Sequence, residues 1–308
     1  MGIALQGQVA LVTGASRGVG RGIALQLGEA GATVYITGRR PELSDNLGYG
    51  LPGLQEVAEE ITAAGGQGIA LYIDHSNMFE VQYLFDKINK DQDGRLDILV
   101  NNVFSSIGKV TDTFGKAFYE IDPSFWDTVN DVGLRNHYYC SVYAARIMVP
   151  RKTGMIVNIA SLGGLRYAFN VAYGVGKDAL VRMATDMAVE LEKDNICVIT
   201  LMPGPVRTEA IEIGVFGGTS KAESAEFTGK ALARFAMDPG RMKKTGKALL
   251  TGDLAQKYGF GDRDGMEPQN IRSVKTMLET LGKPEIAKFI PNRVKVPKWM
   301  IWQTCNRL

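Results

Sequence analysis

The chain is short of cysteine, of histidine and of excess charge. Its 308 residues include three cysteines, Cys140, Cys197 and Cys305. Odd in number and without close spacing, they exclude a disulfide framework and a zinc site, and a reducing compartment follows as the default. Only two histidines occur, His75 and His137, far apart and with no carboxylate at metal-site spacing. Solvated or structural roles are expected of them, and no metal. A net charge of +2, with basic residues scattered except near the C-terminus, leaves no footprint for nucleic acid. No run of about 18 apolar residues could span a bilayer, and the N-terminus lacks the charged start and long apolar core of a signal peptide. No internal repeat, low-complexity tract or Pro/Gly/Ser linker divides the sequence. A soluble or peripheral cytoplasmic protein is expected.

What is present is an apolar content of 45%, enough for one large core or two smaller ones. Short runs rich in β-branched residues lie at Val9 to Thr13, Thr33 to Thr37, Ile69 to Ile73, Leu96 to Val100, Met155 to Ile159 and Ile196 to Leu201. Each predicts a strand. Amphipathic helical patterns alternate with them: Val19 to Ala30, Leu54 to Ala64, Met78 to Lys90, Pro123 to Val149 and Tyr173 to Lys193. Asp122 before Pro123 reads as an N-cap followed by proline at the first helical position. The alternation predicts an α/β fold: a single doubly wound parallel sheet of Rossmann type with helices on both faces and ligands at the carboxyl ends of the strands. Residues 1–255 read as that domain and 256–308 as a C-terminal extension. Pro41 to Gly53 puts about a dozen residues where a strand-to-helix loop takes about 2 to 6. A surface insertion is the favoured reading; a flap over a cofactor's adenine end is the alternative.

Between Thr13 and Gly20 the chain reads Thr-Gly-Ala-Ser-Arg-Gly-Val-Gly, after a strand and before a helix. A helix start leaves backbone N–H groups unpaired and carries partial positive charge, so a pyrophosphate fits there if no side chain intrudes. Gly14, Gly18 and Gly20 remove the side chains. A glycine cluster alone is as often only a tight turn. Further along, Tyr173 and Lys177 stand four apart on a helix and project from one face. Tyrosine titrates near 10, and bringing it to about 7 needs roughly 4 kcal/mol of differential stabilisation of the phenolate. Lys177 and a cationic nicotinamide are plausible suppliers. Ser161 follows the strand Met155 to Ile159 and reaches the same edge of the sheet. Taken singly, a Y-x-x-x-K pair arises by chance in helices and a serine after a strand is usually a turn residue.

In combination, Thr13-Gly-x-x-x-Gly-x-Gly20, Asp74, Asn101-Asn102, Ser161, Tyr173-x-x-x-Lys177, Pro203-Gly204 and Thr208 resemble the short-chain dehydrogenase/reductase family, over about residues 5 to 255. The resemblance implies roles. Tyr173 is the general acid in carbonyl reduction, Lys177 lowers its pKa and holds the nicotinamide ribose, and Ser161 polarises the carbonyl. Gly14, Ser16, Arg17, Gly18, Val19 and Gly20 wrap the cofactor's phosphates. Asp74 meets the adenine ring, Asn101, Asn102 and Val103 lie along the cofactor, and Pro203, Gly204, Val206 and Thr208 hold its carboxamide end. At the close of the second strand, Thr37-Gly38-Arg39-Arg40 offers no carboxylate for a ribose 2′-hydroxyl. Arg39 and Arg17 suit a 2′-phosphate instead, so NADP(H) is the expected cofactor.

Two departures from the family pattern stand out. Seven residues after Trp126, where the family commonly has an asparagine that anchors a relay water, the chain has Gly133. After Asn101-Asn102 it has Val103-Phe104, a ring where the family has glycine. Gly133 is expected to leave room for water or a neighbouring side chain, with Asn136 or Asn130 as weak substitutes. A simple packing reason is equally open. These departures keep a second function class in view, a non-catalytic NADP-binding module.

Ile211, Ile213, Val215 and Phe216 among glycines suit a lid over residues 205–227, and Phe104, Leu162 and Phe169 predict an apolar pocket. A small apolar carbonyl compound is the expected substrate; the resemblance points to ketosteroids and other lipophilic ketones. From Lys283 onward, six basic residues face one acid, Glu285, beside Trp299, Met300, Ile301 and Trp302. That mixture suits peripheral contact with a membrane, for which the cytosolic face of the endoplasmic reticulum is the expected site, or packing in a homo-oligomer. The terminal Asn306-Arg307-Leu308 is a poor relative of the peroxisomal tripeptide.

Overall fold

Val9–Val12 (β1) is buried at all four positions, as a strand must be when helices cover both faces of its sheet. The computed structural model describes residues 4–41, 53–105, 107–165, 167–209, 222–263, 265, 270–280, 283–291, 293–297 and 299–301. After β1 come α1 (Gly18–Glu29), β2 (Thr33–Gly38), α2 (Leu54–Ala63), β3 (Gln67–Tyr72), α3 (Met78–Asp91) and β4 (Ile98–Asn101). Next are α4 (Ile107–Thr111), α5 (Phe125–Asn130), α6 (Asn136–Met148), β5 (Gly154–Ile159), α7 (Val171–Leu191) and β6 (Ile196–Met202). The remainder is β7 (Val206–Arg207), β8 (Glu223–Ser224), α8 (Ala225–Ala236), β9 (Ala248–Leu250), α9 (Thr251–Tyr258), α10 (Val274–Thr280) and α11 (Pro284–Ala287).

Seven strands pair in parallel in the order β3-β2-β1-β4-β5-β6-β9. The order reverses between β1 and β4, and the crevice outside their carboxyl ends is where such sheets bind ligands. Alternation along each strand divides the core. Ala10, Val12, Val34 and Ile36 pack with Ile23 and Leu27 of α1, Val57 and Ile61 of α2, and Leu232 and Phe235 of α8. Val9, Leu11, Tyr35 and Leu99 face Val81, Leu84 and Phe85 of α3, Ala144 of α6 and Ala184 of α7.

β9 and α8 are among the elements that escaped the sequence pattern. β9 is only three residues long, and α8 follows a stretch read as lid. Its seat is made by two glycines: a Cβ on Gly22 would lie 2.3 Å from Ala225 backbone, and one on Gly229 would lie 2.2 Å from the Gly22 carbonyl oxygen. The helix expected over Pro123 to Val149 is broken. It runs as α5, a π-helical segment Asp131–Arg135 and α6, and Gly133 sits inside the π segment. Asp122 does not cap it at Pro123; its carboxylate accepts from the Ser124 N–H and hydroxyl in a preceding turn, and the helix starts at Phe125.

The extension is fastened to α9. Asp253 accepts from Arg272 at 2.6 Å and Lys295 at 2.6 Å, and Ser273 pairs with Lys295 in an antiparallel bridge. Ile301 packs against the cluster containing Met202 and Leu250. The loop over 42–52, most of the expected lid (210–221) and the terminal 302–308 lie outside the described residues. Among the described residues no helix is long and apolar enough to cross a membrane.

Candidate active site

At the amino end of α1 the backbone turns left-handed twice, at Gly14 (φ +66°) and Gly18 (φ +57°), a region that glycine enters freely. Space demands glycine as well. A Cβ on Gly14 would lie 2.7 Å from the Val103 Cα, and one on Gly20 would lie 2.3 Å from the Gly14 carbonyl oxygen. Arg17 is the N-cap residue and its side chain makes no capping bond, so the first N–H groups of the helix are left for another acceptor. Here a carboxylate takes the place: Gly18 N–H donates to both oxygens of Glu209, at 3.1 and 3.3 Å. An anion therefore fits the cradle that the glycines form, which is the demand a dinucleotide's pyrophosphate would make.

The loop is held from below. Asn102 donates its amide to the carbonyls of Thr13 and Gly14, both at 2.9 Å, while the Thr13 hydroxyl accepts from the N–H groups of Asn102 and Val103. Behind Gly14 runs a buried polar chain. Gly14 N–H donates to the Thr37 hydroxyl, Thr37 meets His75 Nε2 at 2.7 Å, and His75 Nδ1 donates to the Asn136 side-chain oxygen at 2.9 Å. Burial holds the His75 imidazole neutral, with its pKa pushed down to about 4. His137, donating to the Val103 carbonyl, is likewise pushed down, to about 3, by burial and then by the nearby Lys177 charge. Both histidines are structural and neither is solvated.

The structure corrects the part expected of Asn101. Its amide is fully buried and donates to Ser141 at 2.9 Å, Asn158 at 3.0 Å and the His137 carbonyl, so the side chain ties β4 to α6 and β5 rather than lying along a cofactor. Asp74 spends one carboxylate oxygen on the N–H and hydroxyl of Ser76. Val19 packs against the α1 side of the core, and Ser16 lies beside Gly38 at the end of β2, next to Arg39. On the other side of the crevice, Gly204 N–H donates to the buried Glu223 carboxylate, which also accepts from Thr228 and Thr251. Burial raises Glu223 to about 7. Pro203 is buried, Val206 pairs with Glu223 in a two-strand ladder, and Thr208 reaches the glycine loop, 3.4 Å from where a Gly18 Cβ would stand.

Ser161, Tyr173 and Lys177 do converge. Ser161 Oγ lies 2.9 Å from the Tyr173 hydroxyl and also accepts from the Gly163 N–H. Gly163 is obligatory there, since a Cβ would stand 2.5 Å from the Tyr173 ring. Asn170 caps α7 by accepting from the Tyr173 N–H at 2.9 Å, and its amide donates to Thr113, so the helix turn that carries the phenol is pinned at its start. Phe169 precedes it with φ +64°, a conformation bulky residues rarely adopt, and its ring meets Tyr173 edge-on at 5.0 Å. Phe114 stacks on Phe169 at 5.5 Å and Phe104 meets Tyr173 edge-on at 5.9 Å. Phe114, Thr113 and Asn170 were not read from the sequence; the Asn-x-x-Tyr spacing before a helical run was the available signal for the cap.

Lys177 is buried, and its ammonium donates to the Ile159 carbonyl at 3.3 Å. Burial lowers it to about 8. The Tyr173 phenol is raised by burial, with the Ser161 hydrogen bond acting the other way. Neither Asn130 nor Asn136 fills in at Gly133: Asn130 donates to the Ala172 carbonyl, and Asn136 is engaged with His75 and Cys140.

These features can be set beside known proteins. Residues 8–212 match the family model for short chain dehydrogenases. The chain is 43% identical over 316 residues to human dehydrogenase/reductase SDR family member 1, covering 98% of each. It is 30% identical to a 3beta-hydroxysteroid dehydrogenase of Mediterraneibacter gnavus over 67% of this chain and 68% of that one. Among solved structures, a metagenomic short-chain oxidoreductase in complex with NADP superposes with a TM-score of 0.64 at 30% identity, covering 80% of this chain and 97% of that one. On the family match, this identity and the site that the fold assembles, the chain belongs to the short-chain dehydrogenase/reductase family of oxidoreductases.

Proposed function

We propose that the protein is an NADPH-dependent reductase, reversibly a dehydrogenase, that moves hydride between NADP(H) and an apolar carbonyl or alcohol. The observation that carries this reading is the Ser161–Tyr173 pair, 2.9 Å apart, under a wall of Phe104, Phe114 and Phe169. The cofactor supplies the hydride. Ser161 offers a hydrogen bond to the carbonyl oxygen, and Tyr173 gives that oxygen its proton as charge develops there. Lys177 fixes the local field with a buried positive charge, and the three rings make the surroundings of the phenol apolar.

Arg17 and Arg39 support the phosphorylated cofactor, because each stands beside the glycine loop or the end of β2 where a ribose 2′-phosphate would lie. The aromatic wall supports a lipophilic ketone such as a ketosteroid. The test is the oxidation of NADPH against a panel of ketones and aldehydes, repeated with Tyr173→Phe and compared with NADH before and after Arg39→Asp. Turnover lost in Tyr173→Phe and a preference for NADPH that Arg39→Asp reverses are expected. Tight NADPH binding with no turnover across the panel would favour the non-catalytic module instead, and equal affinity for the two cofactors would sink the NADP(H) assignment.

A further inference from the structure

We infer that Phe104 is the positioning residue for Lys177 and that Gly133 exists to seat its ring, the two forming a coupled pair in which a π-face holds the ammonium. The catalytic meaning of this pair rests on the reductase reading above. Its geometry does not. The Lys177 Nζ lies 5.0 Å from the centroid of the Phe104 ring, inside the range where a cation is attracted to an aromatic face. Among the described residues, the one hydrogen bond it makes is to the Ile159 carbonyl. An ammonium carries three donors, and burying it with a single neutral acceptor is costly. The ring quadrupole is the compensation the structure supplies on the remaining side.

Gly133 explains how the ring comes to stand there. A Cβ at that position would lie 3.0 Å from Phe104 Cδ2 and 3.2 Å from Cε2, so even alanine would press on the ring, and a larger side chain would displace it. The ring takes the space that a side chain on the π-helical segment would need. The pair answers both departures noted in the sequence with one cause: a ring after β4 fits most easily against a glycine on the facing helix.

Among the described residues, these groups stand about the ammonium. On α7 there is Tyr173, whose ring centroid is 5.9 Å from Nζ; on α6 there is His137, kept neutral by burial; β5 presents only the Ile159 carbonyl. No carboxylate among the described residues is bonded to it. The titration of Lys177 should therefore respond to the ring.

The experiment follows the Lys177 Cε resonance by NMR in cofactor-free protein carrying 13C-lysine, assigned by its loss in Lys177→Met. In the parent its midpoint is expected near 8. Phe104→Leu keeps an apolar side chain and removes the π-face, and should lower the midpoint by about one pH unit. Phe104→Tyr keeps the ring and should restore it. Gly133→Ala, which pushes the ring from the far side, should shift it in the same direction as Leu and serves as the second test where Phe104→Leu does not fold. A midpoint unchanged in both Phe104→Leu and Gly133→Ala would overturn the proposal and leave Phe104 as filler. Turnover is measured alongside: the high-pH limb should move down with the lysine in Phe104→Leu. A lysine that shifts in a protein that turns over no carbonyl would sink the reductase reading while upholding the pair.

Discussion

The Glu209 carboxylate lies against the Gly18 N–H, 3.1 Å away, at the amino end of α1. A side chain thus stands where a phosphate would, and the two would compete for one partial positive charge. Glu209→Gln removes the repulsion and should tighten NADPH about 2- to 5-fold, the range that helix-terminus charges are worth. A fluorescence titration of NADPH into both proteins checks this; equal dissociation constants would mean that the carboxylate swings clear at no cost.

Buried neutral histidines make stability depend on pH with a definite sign. His75 titrates near 6.5 unfolded and about 4 folded, so its contribution is fully present above 6.5 and is lost as pH falls through 4. The loss amounts to about 3 kcal/mol. Glu223, raised to about 7, acts in the opposite sense: its contribution is present below the unfolded value and lost as pH rises through 7. The readout is therefore a difference. Denaturant unfolding from pH 7 to 4.5 should show a shallower acid decline in His75→Gln than in the parent; parallel curves would show that His75 is not buried neutral.

Asn170 links the cap of α7 to Thr113. Asn170→Ala should cost about 1 kcal/mol of stability for the lost cap. It should also lower kcat more than it raises KM, because the Tyr173 backbone loses its anchor. A stability loss with unchanged kcat would mean that Ser161 and Gly163 hold the phenol without it.

Asp253 gathers Arg272, Lys295 and Asn270 around one carboxylate. Burial pushes its pKa up, but these hydrogen bonds outweigh it and hold the group below the usual range. Breaking the cluster with Asp253→Ala takes the carboxylate from two largely buried cations, Arg272 and Lys295, and should free the extension. Limited proteolysis checks this: faster cleavage within residues 270–297 is expected, and an unchanged pattern would show that the Ser273–Lys295 bridge and the packing of Ile301 suffice.

The sheet, its helices on both faces and the convergence of Ser161, Tyr173 and Lys177 were legible because they rest on local periodicity and on chain order. Apolar runs of strand length can pair only as a buried parallel sheet when helices separate them, and a sheet so built brings its carboxyl ends to one edge. The glycines of the 14–20 loop were legible for the same reason: left-handed turns and close approach leave glycine as the residue that fits.

What the chain order leaves open is where side chains point. Asn101 turns inward because Ser141 and Asn158 lie across from it; Asn102, its neighbour, supports the glycine loop. β9 and α8 are short or masked by lid-like glycines, and only the approach of Gly22 to Gly229 shows why α8 sits where it does. The sequence by itself determined the fold class and the position of the Tyr173–Lys177 pair. Tertiary packing alone decided that the gap at Gly133 is filled by the ring of Phe104, because a contact between residues 29 apart leaves no periodic trace in the chain.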